Sequence, residues 1–159
     1  MRIGSGYDIH RLGAERLLVL GGVQFPGEPG LIGHSDADPV MHALADAVLG
    51  AAALGDIGEH FPDTDPQWKD ADSAGILREA LRLAAGERGL RLVNIDVNII
   101  AQRPRLGDRK AEIRSRLAEV LDLPPECVSV KARTAEGLGP IGRGEAIEAH
   151  AVVLMDTAG

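Results

Sequence analysis

Alternation of apolar and polar residues predicts strands at both ends of the chain and in its middle. Successive side chains of a strand point to opposite faces, so a two-residue period is typical of a half-buried strand. Gly21 and Gly22 separate two short apolar runs and predict the turn of a hairpin. The pattern predicts strands over residues 1–11, 17–20, 23–26, 92–101, 127–132 and 146–155.

A period of three to four residues predicts three helices, over residues 38–50, 72–88 and from about 107 to Leu121. Asp36 or Asp38 is a candidate N-cap of the first helix, because Pro39 follows at a position where a missing N–H has no cost. Ser73 is a candidate cap of the second helix. Loops are expected over residues 27–36, 59–67 and 134–144, which are rich in glycine, proline or small polar residues.

Strands separated by helices indicate the α/β (α+β) class, with helices layered on a mixed sheet. The chain has 159 residues, without an internal repeat or a long linker, so residues 1–159 are expected to form a single domain. The net charge of −7 argues against a nucleic-acid surface. Ala43–Leu54, the longest mostly apolar run, is too short to span a membrane. With no signal-peptide pattern at the N-terminus, the protein is expected to be cytoplasmic.

A candidate zinc site begins in the first predicted strand. Asp8 and His10 lie two residues apart, so both side chains face the same way, roughly 6–7 Å apart along the strand. A catalytic zinc site normally has three protein ligands, and His42 on the first helix is the candidate third. Asp46, one helical turn further on, would orient the His42 ring. The alternative is that these are ordinary solvated surface groups.

Three other segments carry polar groups suited to a phosphorylated ligand. His34 and Ser35, in a glycine-bounded loop, would contact a phosphoryl group or simply cap that loop. Asp56 would bind a sugar diol, or else Gly58 ends the helix and Asp56 is solvated. The turn over residues 131–136 combines cations, a hydroxyl and a carboxylate, which suits a phosphate chain with a divalent cation, or is a charged hairpin end.

The motifs of two common phosphate sites and of one hydrolase site are not found where those sites need them. No Gly-x-x-x-x-Gly-Lys-Ser/Thr or Gly-x-Gly-x-x-Gly precedes a predicted helix. Gly-x-Ser-x-Gly is also absent from the sequence. A P-loop, a dinucleotide-binding fingerprint and a serine-hydrolase elbow therefore have no support.

Taken together, short motifs along the whole chain resemble one family. They are Gly-Tyr-Asp-Ile-His (6–10), Gly-His-Ser-Asp-Ala-Asp (33–38) with His42, Gly-Asp-Ile-Gly (55–58), Phe-Pro-Asp-Thr-Asp (61–65) and Gly-Arg-Gly-Glu (142–145). In this order they resemble the 2-C-methyl-D-erythritol 2,4-cyclodiphosphate synthase family of the non-mevalonate isoprenoid pathway. The resemblance implies conversion of 4-diphosphocytidyl-2-C-methyl-D-erythritol 2-phosphate to 2-C-methyl-D-erythritol 2,4-cyclodiphosphate, with release of CMP.

The resemblance also implies an assembly and a set of metals. Each subunit of a homotrimer would have a mixed four-stranded sheet facing the three-fold axis, with active sites between neighbours. Asp8, His10 and His42 would bind Zn²⁺, and Glu136 would bind Mg²⁺ or Mn²⁺. His34 and Thr134 would be the catalytic residues.

By the same resemblance, the substrate would be held by two groups of residues. On the erythritol side these would be Asp8, Ile9, His10, His34, Ser35, Asp56, Ile57, Gly58, Phe61, Pro62, Asp63, Thr64 and Asp65. On the cytidine diphosphate side they would be Ala101, Gln102, Arg103, Pro104, Arg105, Leu106, Gly107, Arg133, Thr134, Ala135 and Glu136, with Pro140 and Arg143 nearby. Arg143 would alternatively pair with Glu145.

The chain departs from the family pattern at a few positions, and two other functions remain open. Arg105 stands where lysine is common, Arg133 and Ala135 where threonines are common, and Gly-Pro-Ile-Gly (139–142) where a phenylalanine is usual. Another divalent-metal phosphohydrolase, with water as nucleophile, would use the same ligands. A non-catalytic trimer with structural zinc is the third reading.

Overall fold

A computed structural model describes residues 1–62, 64–65, 68 and 71–157, and this part of the chain forms, besides short 3₁₀ turns at Gly107–Arg109 and Pro125–Cys127, five strands and five α-helices. In chain order they are β1 (Arg2–Leu20), β2 (Val23–Leu31), α1 (Pro39–Ala52), α2 (Ile57–His60), α3 (Ser73–Arg88), β3 (Leu90–Ile100), α4 (Lys110–Leu121), β4 (Val128–Arg133), α5 (Gly139–Gly142) and β5 (Ala146–Thr157). Within these ranges, no helix is both long and apolar enough to cross a membrane.

One mixed sheet contains all five strands, in the order β2-β1-β5-β3-β4. β3 and β4 are parallel, and the other neighbours are antiparallel. The four-stranded sheet that the resemblance implied is therefore wrong, since the sheet has five strands. Residues 2–20 form one long strand, β1, whose first half pairs with β5 and whose second half pairs with β2, so this strand joins what would otherwise be two separate sheets.

β2 also extends through part of the predicted loop at 27–36, ending at Leu31. Pro26 and Pro29 lie within it, because an edge strand needs hydrogen bonds on one side only and tolerates proline. The pairing with β1 is interrupted by register shifts, which allow the strand to continue past these residues.

Aspartate side chains cap the starts of α1, α2 and α3, but the capping residue is not always the predicted one. Asp38 caps α1 by accepting the backbone N–H groups of Val40 and Met41, as predicted. Asp72, and not Ser73, caps α3 through the N–H of Ala74. Asp56 caps α2, a short helix in a segment where the sequence predicted only a helix end and a loop. An aspartate before a short polar turn satisfies free N–H groups equally well in a loop or in one helical turn, so the sequence left both open.

The hydrophobic core lies between the sheet and one layer of helices. On β5, Ile147, Ala149, Ala151 and Val153 are buried and alternate with residues that point the other way. On the opposite face of the sheet, Ile3 is 72%, Tyr7 47%, Ile9 41% and Val152 40% exposed. This second face also has polar groups, among them Asp96 and His150, and it is left open by the described residues of a single chain.

α1 lies directly on the backbone of β1. A Cβ atom at Gly6 would stand 1.9 Å from the carbonyl oxygen of Ala43, and one at Gly4 would stand 1.8 Å from that of Ala47. No side chain fits into either space. The bare backbone at these two positions lets the helix approach the strand, and His42 is therefore brought next to the residues that follow Gly6 on β1.

Gly6→Ala should destabilise the protein by about 3 kcal/mol or more, because the helix must move off the strand to admit a methyl group. Gly50→Ala is the matched control on α1, where the nearest atom to a new Cβ is the Ser5 carbonyl oxygen at 3.9 Å. That change should stabilise the helix by about 0.5–1 kcal/mol. Urea denaturation measures both, and equal midpoints for Gly6→Ala and the unchanged protein would contradict the close packing.

Candidate metal centre and adjoining cavities

Asp8, His10 and His42 bring three ligand atoms to one point. The Asp8 Oδ2 atom lies 2.8 Å from His10 Nε2 and 3.0 Å from His42 Nδ1, and the two nitrogens are 3.2 Å apart. Ligand atoms on a tetrahedral zinc with bonds of about 2.0 Å are separated by about 3.3 Å. The three atoms thus form nearly one face of such a tetrahedron, as the period-two spacing of Asp8 and His10 had indicated.

A hydrogen bond to the Nδ1 atom of His10 determines which nitrogen of that ring has the lone pair. His10 Nδ1 lies 2.9 Å from the carbonyl oxygen of Ile32. A carbonyl only accepts, so Nδ1 carries the hydrogen and the Nε2 lone pair of His10 faces Asp8 and His42. One carboxylate oxygen and two imidazole nitrogens are a donor set that suits zinc.

Asp46 does not orient the His42 ring, contrary to the sequence prediction. Its carboxylate accepts the N–H of Ile57 at 2.8 Å and so fixes the start of α2. The hydroxyl oxygens of Ser35 and Ser73 contact His42 Nε2 instead, at 3.0 and 2.9 Å. Asp46 is one turn further along α1, where its side chain lies next to Ile57, the first residue of α2.

Burial and hydrogen bonding have opposite effects on the pKa values of Asp8 and His10. Burial favours a raised pKa for Asp8, but hydrogen bonds from His10 and His42 outweigh it and hold the pKa well below its usual range. Burial favours a lowered pKa for His10, but the hydrogen bond and charge of Asp8 outweigh it and raise the pKa. A proton and a metal cation therefore compete for the position between Asp8 and His10.

A cavity of about 410 Å³ opens beside the triad. The nitrogens His34 Nε2 and Trp68 Nε1 are buried there and have no hydrogen-bond partner within the described parts of the chain, so a ligand can meet both. Its walls contain predicted residues, namely Asp8, His10, His34, Ser35, His42, Ile57, Gly58, Phe61 and Pro62. Gly33, Trp68 and Ile76 were missed, because an apolar residue that lines a site has the same sequence pattern as one in the core.

Other predicted residues of the erythritol side do not line this cavity. Asp56 caps α2 through the N–H of Glu59 at 3.0 Å. Ile9 points to the opposite face of the sheet, as its place between Asp8 and His10 requires. Thr64 and Asp65 follow the cavity wall in sequence, and Asp63 lies outside the described residues.

A second cavity, of about 430 Å³, lies where β3 and β4 end. Predicted residues line most of it, namely Ala101, Gln102, Pro104, Arg105, Leu106, Gly107, Arg133 and Thr134, together with Asp108, Lys110 and Ala132. The buried Gln102 Oε1 atom has no partner among the described residues. Two arginines and a lysine make this cavity suitable for an anionic ligand.

The remaining residues predicted for the cytidine diphosphate side lie at the edge of the second cavity or elsewhere. The Thr134 hydroxyl donates to Glu136 Oε1 at 2.8 Å, and Ala135 lies between them. Arg103 precedes the lining residue Pro104 and does not itself line the cavity. Pro140 is in α5, and Arg143 donates to both oxygens of Glu145 at 2.7 and 3.1 Å, the ion pair that the sequence suggested.

Within one chain the two cavities are separate. Asp8 pairs with Ala149 of β5, Ala149 with Ile99 of β3, and Ile99 with Ala132 of β4. Three strand spacings thus separate Asp8 from the edge of the second cavity, about 14 Å. The residues predicted to form one substrate site fall into two groups on the same chain.

Asp8→Asn should lower the pKa of His10. Burial is the largest influence on this ring and depresses the pKa once the Asp8 charge no longer opposes it. NMR titration of the metal-free protein measures the change, with His60, whose ring contacts the Leu54 carbonyl, as internal reference. An unaltered His10 titration would contradict the assigned cause.

Comparison with known proteins identifies the family. The sequence pattern of the YgbB family matches residues 1–156. The 2-C-methyl-D-erythritol 2,4-cyclodiphosphate synthase of Geobacter metallireducens is 58% identical over 156 residues, which cover 98% of this chain and 99% of that protein.

Solved structures share the fold. Bifunctional IspDF from Campylobacter jejuni has a TM-score of 0.93 and 44% identity over 99% of this chain, which spans 42% of that chain. A 2C-methyl-D-erythritol-2,4-cyclodiphosphate synthase in its CDP-bound form has a TM-score of 0.88 and 42% identity, over 98% of this chain and 100% of that one. The chain therefore belongs to the YgbB family, and the resemblance found in its motifs is confirmed.

Proposed function

We propose that the chain converts 4-diphosphocytidyl-2-C-methyl-D-erythritol 2-phosphate to 2-C-methyl-D-erythritol 2,4-cyclodiphosphate and CMP, in isoprenoid precursor biosynthesis. The observation that carries this proposal is the triad, whose three ligand atoms lie 2.8 to 3.2 Å apart beside a cavity. A relative 58% identical bears the name of this synthase, and a related structure contains CDP.

Two divalent cations are part of the proposal. Asp8, His10 and His42 would hold Zn²⁺, since their donor atoms already converge. Glu136 would hold Mg²⁺ or Mn²⁺ together with substrate phosphates, because these ions are commonly bound by one or two carboxylates plus phosphate oxygens. When bound, such cations neutralise charge on phosphate oxygens and hold the reacting groups in line.

The protein residues would position two phosphates that repel each other. An oxygen of the 2-phosphate attacks the β-phosphorus, a new P–O bond forms, and the bond between the β-phosphorus and the oxygen of CMP breaks. The attacking phosphate is already ionised, so the step needs no general base. His34 and Thr134 would donate hydrogen bonds to phosphoryl oxygens, and Arg105 and Arg133 would hold the nucleotide phosphates.

A homotrimer, with the sheets facing its axis and the sites between neighbours, would unite the two cavities. Two observations support it. In one chain the triad and the second cavity are about 14 Å apart, measured in strand spacings. The open sheet face exposes the large side chains Ile3, Tyr7, Ile9 and Val152, which suits burial against other subunits. The cytoplasmic location stays a prediction.

His42→Ala should abolish zinc binding and lower CMP release by about a thousandfold, because one of the three ligands of the zinc that would neutralise the reacting phosphates is lost. His60→Gln keeps a donor for the Leu54 carbonyl and lies outside both cavities, so it should retain zinc and activity. Metal analysis and phosphorus NMR of the products measure both effects. Full activity of His42→Ala, or a linear phosphate product from the unchanged protein, would contradict the proposal.

Mixed trimers test whether the sites lie between subunits. Subunits with His42→Ala should be inactive alone, and so should subunits with Thr134→Ala. After joint refolding in equal amounts, about a quarter of the sites would combine an intact triad with an intact second cavity of a neighbour, if trimers form at random. Recovery of CMP release is expected, and its absence in verified mixed trimers would place the whole site in one chain.

A further inference from the structure

A chain of hydrogen bonds lies behind His42, on the side away from Asp8 and His10. Ser73 is fully buried at the start of α3, and its Oγ atom is 2.9 Å from His42 Nε2. The same hydroxyl makes a short hydrogen bond to Asp36 Oδ1. His42 therefore connects the candidate metal centre to a carboxylate through one serine.

The hydrogen-bond partners of Asp36 determine which group donates and which accepts in this series of hydrogen bonds. Its carboxylate also lies 3.3 Å from the backbone N–H groups of Ser73 and Asp38, which can only donate. An ionised carboxylate only accepts, so the single hydroxyl hydrogen of Ser73 points to Asp36. The Ser73 oxygen can then only accept from His42, which places a hydrogen on Nε2 and leaves the lone pair on Nδ1.

A competing arrangement exists on the other side of the ring. His42 Nδ1 lies 3.0 Å from Asp8 Oδ2, and a hydrogen on Nδ1 would satisfy that carboxylate. His42 Nε2 would then accept from the Ser35 hydroxyl at 3.0 Å. With its Nδ1 protonated, His42 has no lone pair facing the triad and cannot bind a metal there. Asp8 and Asp36 thus favour opposite tautomers of one ring.

We propose that Ser73, oriented by Asp36, is a positioning residue that holds His42 in the tautomer with a free Nδ1 lone pair. This inference rests on the proposed metal site. In many metal sites a carboxylate contacts the far nitrogen of a histidine ligand directly and fixes its tautomer. Here the Ser73 hydroxyl transmits the same constraint, because the Asp36 carboxylate accepts from Ser73 and from the Asp38 N–H and does not contact the His42 ring.

The Ser35 hydroxyl fits the same arrangement. It accepts the N–H of Ala37 at 3.2 Å and lies 3.2 Å from Ser73 Oγ, to which it can donate. Every donor of the cluster then has an acceptor while His42 Nδ1 stays unprotonated. Ser35 can therefore satisfy its hydroxyl through Ser73 and Ala37, and it need not donate to His42.

Two variants change the hydrogen bonding at His42 Nε2 in different ways. Ser73→Ala removes the acceptor for His42 Nε2. Asp36→Asn keeps the size of the side chain, but its amide can donate to Ser73 and turn the serine hydroxyl toward His42 Nε2. Both should weaken zinc binding about 10- to 100-fold, the range found for such supporting groups.

Asp72→Ala is the matched control, because it removes the cap of the same helix without contacting His42. It should lower stability and retain the zinc affinity of the unchanged protein. Competition with a chromophoric chelator measures zinc affinity in all these proteins. Unchanged affinity in both Ser73→Ala and Asp36→Asn would overturn the inference, and so would an equal loss in Asp72→Ala.

Nitrogen NMR of the unchanged zinc-loaded protein, with labelled histidine, tests the tautomer without any variant. The expected spectrum shows His42 bound through Nδ1 with hydrogen on Nε2. Coordination through Nε2 would overturn the inference while the metal site stands. A protein that binds no zinc would overturn the metal site and this inference together. If the variants fail to fold, this spectrum alone decides.

Discussion

The contact between the α1 helix and the bare backbone of β1 is the constraint on which the candidate site depends. Gly4 and Gly6 let the carbonyl oxygens of Ala47 and Ala43 approach closer than any Cβ would allow. His42 immediately precedes Ala43, so its position relative to Asp8 and His10 is fixed by this approach. A shift of the helix by the width of one methyl group would separate ligand atoms that now lie 2.8 to 3.2 Å apart.

Local charge, and not the net charge, determines what the site can bind. The chain has a net charge of −7, yet the proposed substrate is strongly anionic. Arg105, Lys110 and Arg133 line the second cavity, and the triad supplies a place for a cation beside the first. Within a low-dielectric cavity such nearby charges outweigh distant surface carboxylates, which solvent and salt screen.

Much of the fold and part of the site could be predicted from the sequence, because they follow from local rules. The period-two spacing put Asp8 and His10 on one face, and the Asp38-Pro39 pair marked the start of α1. Long-range pairing could not be read in the same way. The continuity of β1, the extension of β2 to Leu31 and the order of the five strands depend on which strands become neighbours, and no local pattern encodes that choice.

Side-chain partners were harder still to predict. Asp46 lies at helical spacing from His42 but bonds to Ile57, whereas Ser73, distant in sequence, contacts the ring. The separation of the two cavities also depends on strand order. Anomalous diffraction at the zinc edge, from crystals grown with zinc and a cytidine nucleotide, tests the central claim most directly. One zinc bonded to Asp8, His10 and His42 at about 2.0–2.1 Å is expected. Clear density for three ligand side chains far apart, with no zinc between them, would contradict it.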